Sequence, residues 1–341
     1  MNNVRQWPSA NSTSILRSTE KAKNSKLSHQ ELLTAIEGRL GIHFGVEAIL
    51  FPSVRSAITS VLRFHQIDRH KTVAITKYSS HSLYTALGAF TNTTITGSDY
   101  EAIIVNHKYG YQSAIAKPPL KNNLFIVEDS CDSIFIKLDS IFYNEGLVEL
   151  VSLPKVLGSY AGACILINPN KVVEAEMLKE HLKRLQNENL ELGEYQSRQK
   201  RILNRDSQNF ENWFYWEHKN TFLTSVDLID IKSSLATISD NSELIIGRRK
   251  IVSERFGFEN WSDSRIGPVI VFPREYILSN EAMLTQEIIF TRMFDHSCTN
   301  GQSSRYTQSL CLPVHFQITE IDFRNALDFI STNMRFAQGS Y

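Results

Sequence analysis

Leu124-Phe125-Ile126-Val127-Glu128-Asp129-Ser130-Cys131-Asp132 is the stretch from which the fold is read. Its unbroken apolar run suits a strand buried on both faces of a sheet. The run ends directly on an acidic turn, so a carboxylate is delivered where the strand stops. Asp129 there can point into a ligand crevice and hold a cationic group, or it can simply bond its own turn backbone. Upstream, the same kind of run recurs at Glu47–Phe51, Thr72–Thr76 and Ala102–Val105. The first two are followed by helical patterns, Ser53 to Phe64 and Ser80 to Phe90. Strand–helix alternation of this sort predicts an α/β architecture with a largely parallel sheet. In such sheets ligands sit beyond the carboxyl ends of the strands.

Working outward, Leu32, Leu33, Ile36 and Leu40 recur at helical steps behind Ser28 and Glu31, a capping-box pair. Residues 1–28 are polar and predict a loose arm. Residues 171–204 predict one long solvated helix, and residues 225–256 another helical region. Pro268–Phe272 predicts a strand opening a smaller C-terminal unit that closes with a helix from Glu320 to Met334. The expected division is an arm at 1–28, a large unit at 29–240 and a small unit at 241–341.

The 341 residues carry 36 Lys+Arg against 36 Asp+Glu, so the net charge is zero. A nucleic-acid binder relying on bulk positive charge is therefore not expected. No apolar run approaches the length of a membrane span, and the first residues show no signal-peptide pattern. The four cysteines, Cys131, Cys164, Cys298 and Cys311, include no Cys-x-x-Cys pair, which predicts reduced thiols in a cytoplasmic protein.

Three further segments carry chemistry. Pro52-Ser53-Val54-Arg55-Ser56-Ala57 opens a helix after a strand, where backbone N–H groups favour a phosphate; a plain capped helix explains it as well. Neither a P-loop nor a Gly-x-Gly-x-x-Gly fingerprint is present. Ser152-Leu153-Pro154-Lys155 places a lysine in an apolar stretch, where partial burial would lower its pKa and free a nucleophilic amine for a Schiff base. A lysine snorkelling from a strand edge is the simpler alternative. Leu310–His315 followed by Thr319-Glu320 is a strand running into a capped helix.

The order of these signals carries more than any one of them: phosphate loop, Asp after a strand, then Lys155. It resembles the fold-type I pyridoxal phosphate (PLP) enzymes, and more closely the DegT-type (StrS-like) nucleotide-sugar aminotransferase family. Beside the segments already quoted, Ile103–Gly110, Val127–Ser133 and Arg248-Arg249-Lys250-Ile251 resemble that family's motifs, and the resemblance runs from about Glu31 to Ile330. It implies a large domain with a mostly parallel central sheet and a smaller C-terminal α+β domain.

It also implies roles. Lys155 would join PLP covalently through its amine and shuttle a proton. Asp129 would pair with the pyridine nitrogen, and the Ser56 and Ala57 N–H groups with the Ser152 hydroxyl would hold the phosphate. His81 falls near the aromatic that stacks on the ring. Asn220 would reach the neighbouring subunit's phosphate, which implies a homodimer with shared sites. Asp132 stands where the family has Gln or His beside the cofactor hydroxyl. The activity implied is transfer of an amino group, expected from glutamate, to a nucleotide-linked keto-sugar for surface polysaccharide or glycoconjugate synthesis. A dehydrating variant of the family has histidine for the lysine, so Lys155 argues against it. A non-catalytic scaffold binding a sugar nucleotide or a partner is the other alternative.

Overall fold

A computed structural model describes residues 6, 8, 12–115, 124–135, 138–188, 221–259, 261, 264–279, 288–298 and 306–336. The first half of the chain alternates as the apolar runs predict: α1 (Ser12–Lys23), α2 (His29–Phe44), β1 (Ala48–Phe51), α3 (Val54–Phe64), β2 (Thr72–Ile75), α4 (His81–Gly88), β3 (Asn92–Thr94), β4 (Ala102–Asn106), β5 (Phe125–Asp129), β6 (Ile134–Phe135), β7 (Val148–Ser152), α5 (Leu153–Leu157), β8 (Ala163–Ile167) and α6 (Val172–Glu188). Beyond it lie α7 (Ser225–Leu235), α8 (Ile238–Phe256), β9 (Arg265–Ile266), β10 (Val269–Val271), β11 (Tyr276–Ile277), β12 (Phe290–Asp295), β13 (Tyr306–Pro313), α9 (Glu320–Asn333) and β14 (Arg335–Phe336).

Seven strands form the main sheet in the order β1-β8-β7-β5-β4-β2-β3. β8 is antiparallel to both β1 and β7, and the remaining pairs are parallel. Because helices cover both faces, β1 and β8 are apolar throughout, and β7 is equally buried but carries Glu149 and Ser152. One layer of the core packs α3 and α6 on the sheet through Ile58, Val61, Leu62, Leu178 and Leu182. The other joins α2, α7 and α8 to the strands beyond residue 264. β10, β13 and β12 make a second, three-stranded antiparallel sheet.

Local chemistry fixes the ends. Ser28 and Glu31 close the expected capping box on α2, and Gly45 ends that helix in the left-handed region at φ 67°. Two expectations change. Residues 12–23 of the arm are helical, and Ser18 Oγ donates to Asp230 Oδ1 on α7 at 3.2 Å. Polar sequence hid this helix, whose support comes from packing rather than from an apolar stripe. The helical region at 225–256 is two helices broken at Ala236–Thr237. The predicted helix at 171–204 is confirmed only over Val172–Glu188, and its remainder lies outside the described residues. No helix among the described residues is long and apolar enough to cross a membrane.

Candidate active site

The strand register gathers the candidate residues at one edge of the main sheet. Asn106 ends β4 opposite Asp129, which ends β5, and Asp129 is opposite Leu150 of β7. Two residues on, Ser152 ends β7 opposite Ala163, and Ala163 is also opposite Phe51, the end of β1. The start of α3, the end of β5 and the start of α5 therefore converge on the carboxyl edge, as expected for an open α/β sheet.

Asp129 is buried there. Its Oδ2 accepts from Asn106 Nδ2 at 2.8 Å and its Oδ1 from the Cys131 N–H at 3.1 Å. The turn reading holds, since the carboxylate closes its own turn, and its second oxygen is bonded to Asn106 at the sheet edge. Ser133 N–H donates to Ser130 C=O (3.0 Å), so the turn carrying Asp132 is closed as well. Lys155 sits on α5, a short helix with Pro154 in its first turn and the left-handed Gly158 at its end. Its Nζ lies 2.7 Å from Asp132 Oδ1, with the lysine side chain a quarter exposed and the aspartate nearly buried.

This contact reverses one expectation. Burial pushes the Lys155 ammonium down, as the sequence predicts, but Asp132, with Asp129, more than offsets it and holds the pKa above the ordinary lysine value. Lys155 is thus held as a charged ammonium rather than a free nucleophile. A second lysine, Lys108, lies near the same carboxylate. It follows β4, its Nζ donates to Met293 C=O at 3.0 Å, and burial lowers its pKa against the pull of Asp132. Arg292 on β12 faces both Lys108 and Tyr109, so the second sheet contributes a cation to this edge.

The start of α3 also differs in detail. Ser53 is the N-cap, and its Oγ accepts from Ser56 N–H at 3.2 Å. Ala57 N–H donates to Ser53 C=O at 3.0 Å, and Ser56 Oγ to the same carbonyl at 2.9 Å. The two N–H groups expected to hold a phosphate are therefore already spent on the cap and the helix. The residue the sequence reading passed over is Arg55, whose guanidinium burial pulls down to about 10. Its signal was its place in the first turn of the helix, where an anion is favoured. Ser152 is buried at the end of β7 and makes no side-chain cap on α5. His81 is exposed on the first turn of α4, its Nδ1 3.3 Å from Thr85 Oγ1 of its own helix. The aromatic pair after β2 is Tyr78 with Tyr306, ring centroids 5.1 Å apart. Asn220 lies outside the described residues.

Beneath this edge lies a buried ionic layer that sequence reasoning missed. Glu128 and Glu149 are register partners on β5 and β7, both fully buried. His107 Nδ1 accepts from the Ser113 N–H (3.0 Å), so its Nε2 is the donor to Glu128 Oε2 (2.9 Å). Burial pushes Glu128 up, but bonds from His107, Gly146 and Asn144 outweigh it and bring the carboxyl below its usual value. Glu149 pairs with Arg265 Nη1 at 2.8 Å, and Arg265 also donates to Ser130 Oγ (2.8 Å) and to Ser140 C=O. Desolvation still leaves the Glu149 carboxyl above its usual value.

These residues fit PLP. Asp129 is a carboxylate fixed by two donors at a strand end, suited to a protonated pyridine nitrogen. Lys155 offers an amine within the same turn cluster. Arg55 at the start of an 11-residue helix suits a phosphate dianion. Asp132 is the poorest match, being a second carboxylate already occupied by Lys155.

The comparisons agree with this geometry. A family model described as "Putative PLP-dependent aminotransferase" matches residues 36–334. Solved structures of similar fold include the aminotransferase TlmJ from Streptoalloteichus hindustanus (12% identity, 96% of this chain and 98% of that one, TM-score 0.63). A DegT DnrJ EryC1 StrS aminotransferase from Brucella abortus matches at 14% identity over 94% and 95%, TM-score 0.62. The sugar aminotransferase CalS13 from Micromonospora echinospora matches at 13% over 97% and 100%, TM-score 0.60. At these identities the likeness carries the fold, an α/β transferase fold of type I, and not the substrate. No curated protein sequence matches the chain. Because the family model spans most of its length, the chain belongs to this family of PLP-dependent aminotransferases.

Proposed function

We propose that the protein moves an amino group, with glutamate as donor, onto a ketone of a nucleotide-linked sugar, in the synthesis of surface polysaccharide or another glycoconjugate. The observation that carries this reading is the convergence of Asp129, Lys155 and the start of α3 on one sheet edge. The sugar is supported by the DegT-type motifs and by the sugar aminotransferases among the structures of similar fold. PLP supplies an electron sink for the carbanion that forms when a proton leaves the carbon bearing nitrogen.

The chain's own residues then have separate tasks. Asp129, oriented by Asn106 Nδ2 and the Cys131 N–H, holds the proton on the pyridine nitrogen. Lys155 Nζ would bind the cofactor and, once it has given up its own charge, would take up the proton leaving the donor carbon. Arg55 and Ser152 bind the phosphate, and Lys108 and Arg292 offer charge to an anionic substrate from the facing side. His81 and Asp132 remain cofactor-side candidates by resemblance, and Asn220 the residue that reaches a second copy in a homodimer. Residues 29–240 would then form the cofactor unit and 241–341 the smaller one, in a cytoplasmic enzyme.

The test is a visible absorption spectrum of the protein with PLP, repeated on Lys155→Ala and with glutamate. The expected outcome is a Lys155-dependent cofactor band that glutamate bleaches, followed by its return on adding a nucleotide-linked keto-sugar. The scaffold reading is favoured by one observation, the ion pair that keeps Lys155 charged. A band that ignores every amino donor would select it.

A further inference from the structure

We propose that Asp132 is a positioning residue that parks Lys155 in the cofactor-free protein as an ammonium ion, so that cofactor capture begins by breaking the Asp132–Lys155 pair. The inference rests on the reading of Lys155 as the amine that joins PLP.

The geometry argues it from both partners. The Asp132 Oδ1 to Lys155 Nζ distance, 2.7 Å, is that of a contact ion pair, and the carboxylate oxygen is buried with no hydrogen-bond donor aligned on it. Asp132 is held in a turn whose backbone is closed by Ser133 N–H on Ser130 C=O, and it is only 6% exposed, so its carboxylate is poorly served by water. Lys155 is equally fixed: Gly158 N–H donates to Pro154 C=O (3.0 Å), and Leu153 N–H to Gly162 C=O (3.1 Å), pinning both ends of α5. The competing groups are committed elsewhere. Asp129 accepts from Asn106 and Cys131, and Lys108 donates to Met293 C=O. Asp132 is thus the carboxylate in direct contact with the amine.

The charged and titratable groups that act on Lys155 most strongly come from two segments. From the β5 turn come Asp132, Cys131 and Asp129; from the segment after β4 comes Lys108, a like charge. The Cys131 thiol is pushed well above its ordinary value by burial, so it stays neutral. Arg292 on β12 is a like charge that acts on Lys108. The sign is therefore settled by Asp132: its charge favours the ammonium, and removing that charge favours the amine. An amine attacks a carbonyl carbon only through a lone pair. In the parked state the Nζ–H bond must break first, with the electron pair left on nitrogen and the proton passing to solvent or to the carboxylate. A neutral glutamine or histidine at position 132 would leave that proton easier to lose, because no carboxylate charge would hold it.

The test follows covalent capture of PLP, not turnover. Wild type, Asp132→Asn and Asp132→Glu are mixed with PLP between pH 6 and pH 10, trapped by borohydride at set times, and the adduct on Lys155 is measured by peptide mass. The expected result is a capture rate that climbs with pH in the wild type. In Asp132→Asn the climb moves to lower pH, giving at least tenfold faster capture at pH 7, while Asp132→Glu stays near the wild type. Coincident profiles for wild type and Asp132→Asn, or slower capture in Asp132→Asn with an unchanged far-UV circular dichroism spectrum, would overturn the role of Asp132 alone. No adduct on Lys155 in any of the three proteins would overturn the assignment of Lys155 and the parking role with it. Should Asp132→Asn not fold, the wild-type profile still decides, since a rate flat from pH 6 to pH 10 contradicts a parked ammonium.

Discussion

Arg265 shows how much one side chain can hold. It is fully buried, stacks over Phe135 at 4.8 Å, and pairs with Glu149 at 2.8 Å while bonding Ser130 and Ser140. Removing it strands a carboxylate that cannot reach water. Breaking one half of such a pair costs about 3–5 kcal/mol. Arg265→Leu is therefore expected to lower unfolding free energy by that amount in urea, and Glu149→Leu added to it should recover a large part. Nothing in Ser264-Arg265-Ile266 announced this role, because the partners lie far off in sequence and the pattern around them is unremarkable. By contrast Asp129 and Lys155 were readable, since each directly follows or interrupts an apolar run. The Lys155 charge state was not readable, because its sign depends on a carboxylate delivered by another strand.

At the scale of elements, α3 carries the clearest chain from sequence to site. Its N-cap Ser53 satisfies one of the free N–H groups of the first turn, and buried Ala57, Ile58, Val61 and Leu62 fix its face against the sheet. Ser53→Ala is expected to cost about 1 kcal/mol of stability, read as a lower urea midpoint with unchanged slope. β1, β2, β4, β5 and β10, the start of α2, and α3 and α4 were legible to within about two residues, because their apolar periods and caps agree, whereas β3, β7, β8 and β12 were not read. α1 was not, since Ser12–Lys23 shows no apolar stripe and owes its place to contact with α7.

For the whole molecule, the joint between the main sheet and the later strands is set by two glycines. Gly110 lies at φ 84°, and a Cβ on Gly267 would stand 1.9 Å from the Tyr109 carbonyl oxygen, closer than atoms can approach. The backbone of one half therefore rests on the backbone of the other, with no side chain between. Gly267→Ala is expected to destabilise by more than about 3 kcal/mol, beyond ordinary substitutions, in the same urea titration. This joint lies outside what periodicity reports, because the Gly267-Pro268 pair after Arg265-Ile266 marks a turn but not the surface it must touch.

The direction of β8 has a consequence of its own. A parallel neighbour to β7 would need a crossover of a dozen or more residues. Because β8 returns antiparallel, the lysine segment spans only Leu153 to Gly162, and its two ends are adjacent rungs of one ladder, tied to the end of β1 through Gly162 N–H on Pro52 C=O at 2.9 Å. A loop that short has little closure entropy to lose. The amine-bearing segment is thus paid for when the sheet folds, and cofactor arrival has no chain to organise there.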